Sequence, residues 1–468
     1  MNIEKQLAQM VVNFSKRSIG KEVITEAKKR VVDSLACFYG AFSEKPGSLI
    51  RKNLAAPTTG ESLLWGTTRS VPADLAAWAN GTCVRTLDYN DTYLSLEPCH
   101  PSDLISSLWA ACEVSGANRQ GQRFLKGMVL GYEVLCRLCD SNSIRVRGWD
   151  HVTYLPLASA AACAYVLGLN EEQTRHALSL AVVGNNAMRQ TRVGTISDWK
   201  AACAAYAARS GLWAARLAKA GFTGPSDIFS GRNGFFNQVS GPFQLRLESF
   251  GRPWKMMQTH IKFFPAEHHA QSVIEAAIVL RDQAWVDWAG DMKEFQRFLS
   301  DIRGIEIETF KVAVDIIGSE KEKWIPTTRE TADHSMPYLT VAALLDGDVT
   351  LKQYEARLYA ENRVRRLMGR VTVKHNPAYS RLYPRQMPSK LTVQWKNNSY
   401  SSIEVMLPKG YAGRPMSMAD VEEKFHRLSS SLLKSAQRER IVAKIKTMEK
   451  VNQVTEVGKL LAIPSQPK

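Results

Sequence analysis

The sequence predicts a mostly α protein. It reads as a large all-helical domain, residues 1–264 with 416–468, and a smaller α+β lid domain, residues 265–415. Three patterns point there. Apolar residues recur three and four apart through about the first 250 residues, which is the spacing of one helix face. Strict alternation, the mark of strands, begins only after about residue 265. The tail then returns to helical spacing, so a C-terminal helix is expected to pack back on the helical domain. At 468 residues the chain is too long for one small core, and two domains are the natural expectation.

The elements follow in order. In KEVITEAKKRVVDSLACFYGAF, Val23, Ile24, Ala27, Val31, Leu35 and Ala36 fall close to one helical face. Tyr154 to Leu169 is the longest apolar stretch. It is shorter than a membrane span and carries Pro156, which predicts a buried helix. Asn170 followed by Gln173 is a capping pattern ahead of the next periodic run. WKAACAAYAARSGLWAARLAKAGF is nearly saturated with alanine and is expected to be a tightly packed internal helix. In the second region IRGIEIETF, GRVTVKH and KLTVQWKNNSYSSIEVML alternate at period two, and the last breaks at Asn397-Asn398 as a hairpin would. Between them ADHSMPYLTVAALLDG and LKQYEARLYAENRVRRLMGR read as helical, and AQRERIVAKIKTMEKVNQVTEVGKLLAI restores helix at the end.

Composition narrows the function classes. A hydrophobic share of 45% and a charged share of 23% are ordinary for a globular protein. The first residues carry charge of both signs and no long apolar core, so no secretory leader or membrane span is expected, and the cytoplasm is the expected compartment. The eight cysteines contain one CxxC, Cys136 with Cys139, and no second pair near it. Buried thiols are expected rather than zinc or disulfides. The charge of +16 is dispersed through both halves without a nucleic-acid-binding signature, which argues against a nucleic-acid partner and suits a small anionic substrate. No P-loop and no G-x-G-x-x-G occurs, so no nucleotide cofactor is expected. The adjacent pair His268-His269 cannot converge on one ion, so no metal is expected there either.

Five stretches mix polar chemistry with apolar walls. LDYNDTYLSLEPCHPSD gathers Asp88, Asp91, Thr92, Glu97, His100, Ser102 and Asp103 within residues 87–103. Proton transfer needs such a mixture, because a histidine titrates near neutrality and a carboxylate can orient it. The alternative is a turn-rich connection broken by Pro98 and Pro101. RGWDHVTYLP places Asp150 and His151 just before a buried helix. NNAMRQTRVGTISDWKAA carries Arg189, Arg192, Asp198 and Lys200, with Lys200 opening the alanine helix. A lysine entering such a helix either meets an anion or snorkels to solvent. HIKFFPAEHHAQSVIEAA holds Lys262, Glu267, His268 and His269 around a Phe-Phe-Pro bend. ETADHSMPY supplies Asp333, His334 and Ser335 at a helix start. Neither Ser102 nor Ser335 lies in a G-x-S-x-G elbow.

In this order LDYNDTY with HPSD, DHVTYLP, SDWKAACAAYAARSG, AGFTGPSDIFSG, KFFPAEHHAQ and ADHSMPYLTVAALLDG resemble the MmgE/PrpD family. That family includes 2-methylcitrate dehydratases and cis-aconitate decarboxylases. The resemblance spans residues of about 10 to 415 and implies a helical domain plus lid, a homodimer, and a metal-free site in the cleft between the domains. It implies Asp88, Thr92, His100 and His151 as catalytic residues and Lys200 and Lys262 as substrate-binding residues, and Arg192 and His269 are further substrate-binding candidates by their chemistry. The implied reaction is dehydration of 2-methylcitrate. Decarboxylation of cis-aconitate, or isomerisation or epimerisation of a related dicarboxylate, would use nearly the same residues. A competing class is a basic protein that binds anions without catalysis. Glu267 favours the dehydratase branch, since decarboxylases tend to carry histidine there. Cys99 in place of glycine, Leu104-Ile105 in place of Asn-Leu, and His268 in place of an aromatic depart from the dehydratase pattern.

Overall fold

The computed structural model describes residues 3–116, 120–193, 196–247, 250–287, 293, 295 and 299–464. Two compact units emerge, residues 1–261 with 417–468 and residues 262–416. The main helices of the first are α1 (Ile3–Asn13), α2 (Lys21–Gly40), α3 (Ala73–Thr86), α4 (Ile105–Glu113), α5 (Gly121–Ser141), α6 (Leu155–Leu167), α7 (Glu171–Val183) and α8 (Trp199–Lys219).

Helix α8 is the centre of this unit and packs along α3, α6 and α7. Alanine makes that possible: Ala202, Ala204, Ala205, Ala208 and Ala215 are all buried, and small side chains let helix axes approach closely. Two glycines complete the fit. A Cβ on Gly81 of α3 would lie 2.8 Å from the Ala205 Cβ, and one on Gly211 of α8 would lie 2.5 Å from the Pro156 carbonyl oxygen. Helix α6 is buried at every residue, with Pro156 in its first turn where a missing N–H costs nothing. Helix α7 begins with the expected capping box: Gln173 N donates to Asn170 Oδ1 at 2.9 Å and Asn170 N donates to Gln173 Oε1 at 3.2 Å.

The second unit is α+β. Helices α9 (Gln271–Asp287) and α10 (Met336–Asp346) accompany β1 (Ile302–Thr309), β2 (Val371–His375), β3 (Ser389–Trp395) and β4 (Tyr400–Val405). The sheet order is β2-β1-β3-β4, with β1 parallel to β2 and the other pairs antiparallel. Period-two burial places Ile305, Ile307, Leu391 and Val393 on one face in register, and α9 packs on β3 and β4. Asn398 takes φ +65° in the β3–β4 turn, a conformation asparagine tolerates.

Two helical readings need correction. LKQYEARLYAENRVRRLMGR is broken into Leu351–Tyr354, Ala356–Ala360 and Asn362–Met368, because Glu355 and Glu361 both take extended backbone (ψ 130° and 137°). The tail is regular only as α12 (Ser435–Lys446) and then falls into short turns. Ahead of it stands α11 (Met418–Ser429), opened by a Ser417–Asp420 capping box and packed on α2. Periodicity alone had not singled out that helix. The C-terminal segment therefore does pack back on the helical unit. Among the described residues no helix is long and apolar enough to cross a membrane.

Candidate active site

The segment after α3 is built around a sharp reversal. Asp88 adopts φ +50°, a left-handed conformation that aspartate tolerates better than most residues. The reversal turns its carboxylate back on the last turn of α3, where Arg85 Nη1 donates to Asp88 Oδ1 at 2.6 Å. The other Asp88 oxygen lies 3.7 Å from Lys200 Nζ, on the first turn of α8.

Below the reversal, buried Asp91 organises the rest of the loop. Its carboxylate accepts from Ser102 N at 2.9 Å and Tyr132 Oη at 2.7 Å, and Arg30 Nε lies 3.5 Å away. Thr92 and His260 exchange backbone hydrogen bonds at 2.7 and 2.8 Å, which anchors the loop's far side.

His100 then comes into place with a defined tautomer. Its Nε2 lies 3.1 Å from Arg85 Nη2, which can only donate, so Nε2 carries the lone pair. The proton therefore sits on Nδ1, 2.8 Å from the Asp91 carbonyl oxygen and 3.3 Å from Thr92 Oγ1. Arg85 is thus held by Asp88 and His100, with Asp103 Oδ2 4.0 Å from its Nε. Burial opposes its charge, but Asp88 and Asp103 outweigh that and hold it protonated. Asp103 pays the opposite way: burial, against the pull of Arg85, pushes its carboxyl up to about 7.

The second imidazole, His151, packs 5.7 Å from His100 between ring centroids. Asp150 caps the turn that begins α6 and places its Oδ1 3.2 Å from His151 Nδ1. Arg192 bonds the other Asp150 oxygen at 2.7 Å and reaches within 3.5 Å of His151 Nε2. Burial, opposed by Asp150 but helped by the cations Arg192 and Arg85, lowers His151 to about 3. Burial likewise opposes the charge of Asp150, yet His151, Arg192 and the Val152 N–H bring its carboxyl below the ordinary value. His151 is therefore neutral at pH 7, with Nδ1–H turned to Asp150 and the Nε2 lone pair turned to Arg192.

Asp88, Thr92, His100, His151, Arg192 and Lys200 thus belong to one continuous network in the first unit. Lys262 and His269 belong to the second. Lys262 is buried near the Glu267 carboxylate. His269 Nδ1 lies 2.8 Å from Glu267 Oε1 and its Nε2 3.2 Å from Tyr383 Oη. Burial opposes ionisation of Glu267, but His269, His334 and Lys262 hold its carboxyl down at about 2. Ser335 is a helix cap, accepting from Tyr338 N, and is not part of a nucleophilic pair. All eight cysteines are buried thiols outside any disulfide. Among the described residues no group of three or more His, Cys, Asp or Glu is arranged to hold a metal ion.

Sequence reasoning missed Arg85, because Asp88 stands past the end of α3 and only its left-handed turn brings the two side chains together. It named Asp91 and Asp150 without seeing that one supports the loop and the other orients an imidazole.

Two family models cover most of this chain: the MmgE/PrpD N-terminal domain over residues 5–248 and the MmgE/PrpD C-terminal domain over residues 264–449. The chain belongs to the MmgE/PrpD family. Among its MmgE/PrpD relatives, a 2-methylcitrate dehydratase of Cupriavidus necator is 28% identical over 83% of this chain and 82% of its own length. A 2-methylcitrate dehydratase of Salmonella typhimurium is 27% identical over 79% and 76%. A cis-aconitate decarboxylase-like protein, oryM, of Aspergillus oryzae is 25% identical over 98% and 97%.

Proposed function

We propose that this protein is a lyase that dehydrates 2-methylcitrate to 2-methyl-cis-aconitate, using its own side chains and no metal or cofactor. The observation that supports it most is the His151 environment: a neutral imidazole backed by a carboxylate and facing a guanidinium. A substrate carboxylate bound to Arg192 would offset the cation that adds to burial in lowering His151, so the imidazole gains basicity beside a guanidinium that stabilises the developing charge.

His151 Nε2 takes the proton from the carbon alpha to a carboxylate, and Asp150 stabilises the imidazolium that forms. The electron pair becomes the double bond, the carbon–oxygen bond breaks, and Lys200 Nζ protonates the departing hydroxyl, so water leaves. Asp88, 3.7 Å from Lys200 Nζ, positions that side chain. Arg192 and Lys200, whose side chains keep 15% and 17% exposure, can reach substrate carboxylates, whereas Arg85 at 3% is committed to its neighbours. Thr92 orients the substrate hydroxyl, and His100 fixes the Arg85 fork.

Decarboxylation of cis-aconitate is the second reading, because the oryM relative matches this chain nearly end to end. Incubating chelator-treated protein with citrate, 2-methylcitrate and cis-aconitate and weighing the products separates the readings. Loss of water from 2-methylcitrate is expected. Loss of carbon dioxide from cis-aconitate supports the alternative, and unchanged acids defeat both.

The proposal extends to a cytoplasmic homodimer without nucleic-acid partners. Trp199, Tyr206 and Trp213, at 42%, 36% and 47% exposure, form an aromatic stripe along α8, spaced symmetrically about Tyr206. A second copy would cover it by pairing Trp199 with Trp213 across a twofold axis. Light scattering at micromolar concentration tests this, and a monomeric mass contradicts it.

A further inference from the structure

We infer that Lys424, on α11, is a positioning residue for the site: it holds the backbone of Tyr89 and thereby the reversal that aims Asp88 at Arg85 and Lys200. The inference rests on the proposed role of that loop in the reaction.

Lys424 is buried, and its Nζ donates to Asp33 Oδ1 at 2.6 Å and to the Tyr89 carbonyl oxygen at 2.8 Å. The same ammonium sits 3.5 Å from the centre of the Tyr89 ring. One turn later, Arg427 Nη2 donates to Tyr89 Oη at 2.9 Å. Carbonyl, ring face and hydroxyl of one tyrosine are therefore all gripped by two cations from a helix more than three hundred residues away in sequence.

Stability alone does not account for this arrangement. A buried ion pair contributes little that a well-packed apolar pair would not, because both charges must first leave water. The Lys424–Asp33 pair is nearly fully buried, at 2% and 0% side-chain exposure, and Asp33 Oδ2 has no hydrogen-bond partner among the described residues. What an apolar pair could not reproduce is the bond to the Tyr89 carbonyl, which fixes the Tyr89–Asn90 peptide plane, one residue beyond Asp88 and its φ of +50°. Asp91, Arg30 and Tyr132 secure the far half of the loop, and α11 secures the near half.

The test uses Asp33→Leu/Lys424→Met, which removes both charges and leaves no buried ion unpaired. Lys28→Met is the control. It cuts another tether between α2 and the C-terminal segment, where Lys28 Nζ donates to the Lys446 carbonyl at 2.7 Å, without touching Tyr89. Hydrogen exchange of peptides covering residues 87–99, and kcat and KM on 2-methylcitrate, are measured for both. In the double variant, exchange at Asp88, whose N–H donates to the Arg85 carbonyl, should quicken at least about tenfold while α6 and α8 keep their protection. Its kcat should fall about 10- to 100-fold with KM changed less than about threefold, the signature of a displaced catalytic group. The control should keep native exchange in this loop and native kcat. Native exchange in a folded double variant, equal quickening in the control, or native kcat despite quickened exchange would each overturn the inference. If the double variant does not fold, Arg427→Met decides, with the same pattern expected at smaller amplitude and native behaviour counting against. If wild type turns over none of the acids, the proposed function fails while the exchange comparison still judges the positioning.

Discussion

Arg85 Nη2 donates to His100 Nε2 at 3.1 Å, and the same guanidinium bonds Asp88 at 2.6 Å. One buried arginine thus fixes the tautomer of an imidazole and the direction of a carboxylate. Lysine cannot do both, since it lacks a planar fork. Arg85→Lys should keep the fold but lower kcat by about 10²-fold, as expected when a catalytic constellation shifts by about an ångström. Arg85→Met should instead lose stability, on the order of 3–5 kcal/mol, because it leaves Asp88 and Asp103 without their buried partner. Kinetics and denaturant melts on both variants check the pair. Native kcat in Arg85→Lys would remove Arg85 from the site.

His151 and Asp150 should act as a unit. His151→Gln keeps a polar group of similar size but removes the base, and turnover should fall by about 10²–10⁴-fold. Asp150→Asn removes the charge that stabilises the imidazolium, and the double variant should be little worse than the worse single variant. Additive losses would mean that the two residues serve separate steps.

Histidine protonation should destabilise the first unit above the range in which carboxylates ordinarily titrate. Burial, with Arg30 nearby, lowers His260 to about 3, and burial with neighbouring cations lowers His151 to about 3. Between that value and about 6.5, the ordinary histidine value, the unfolded chain binds protons that the folded chain refuses, so stability rises with pH. Asp103, raised to about 7, works in the opposite sense between its ordinary value and 7. Asp33, also raised by burial, joins Asp103 in that sense, so the histidine contribution, a loss of stability as pH falls from 6.5 to 5, is read as the difference between wild type and His260→Gln. Denaturant melts on both should show that difference. An unchanged slope in that variant would show that His260 does not contribute.

The α7 cap offers a contrasting case. Asn170→Ala removes the side chain that accepts from Gln173 N, and should cost about 1 kcal/mol. It lies in exposed turn sequence outside the His100–His151 network, so kcat should not change. A large activity loss would tie α7 to the site.

Legibility followed range. The alanine of α8, the alternation of β1 and β3, and the Asn170–Gln173 cap are short-range patterns, and each was visible in the sequence. So were His100, His151 and Lys200, because each stands in local sequence where a polar group needs a reason. Arg85 lay hidden in an ordinary helix, since only the reversal at Asp88 makes it central. Lys424 was beyond reach, because its partners Asp33 and Tyr89 lie 391 and 335 residues away and nothing local in α11 announces them. The breaks at Glu355 and Glu361 escaped for a related reason: helix-forming residues there yield to the surrounding chain.

The most direct measurement of the central claim is proton NMR of 2-methylcitrate during incubation with the wild-type protein. The methyl group of the substrate neighbours the single proton that His151 is proposed to remove, and so gives a doublet. Dehydration removes that proton and places the methyl on the new double bond. The doublet should decay as a methyl singlet grows in equal amount, and His151→Gln should suppress the conversion. A doublet that persists unchanged in the presence of active, folded wild-type protein would contradict the account.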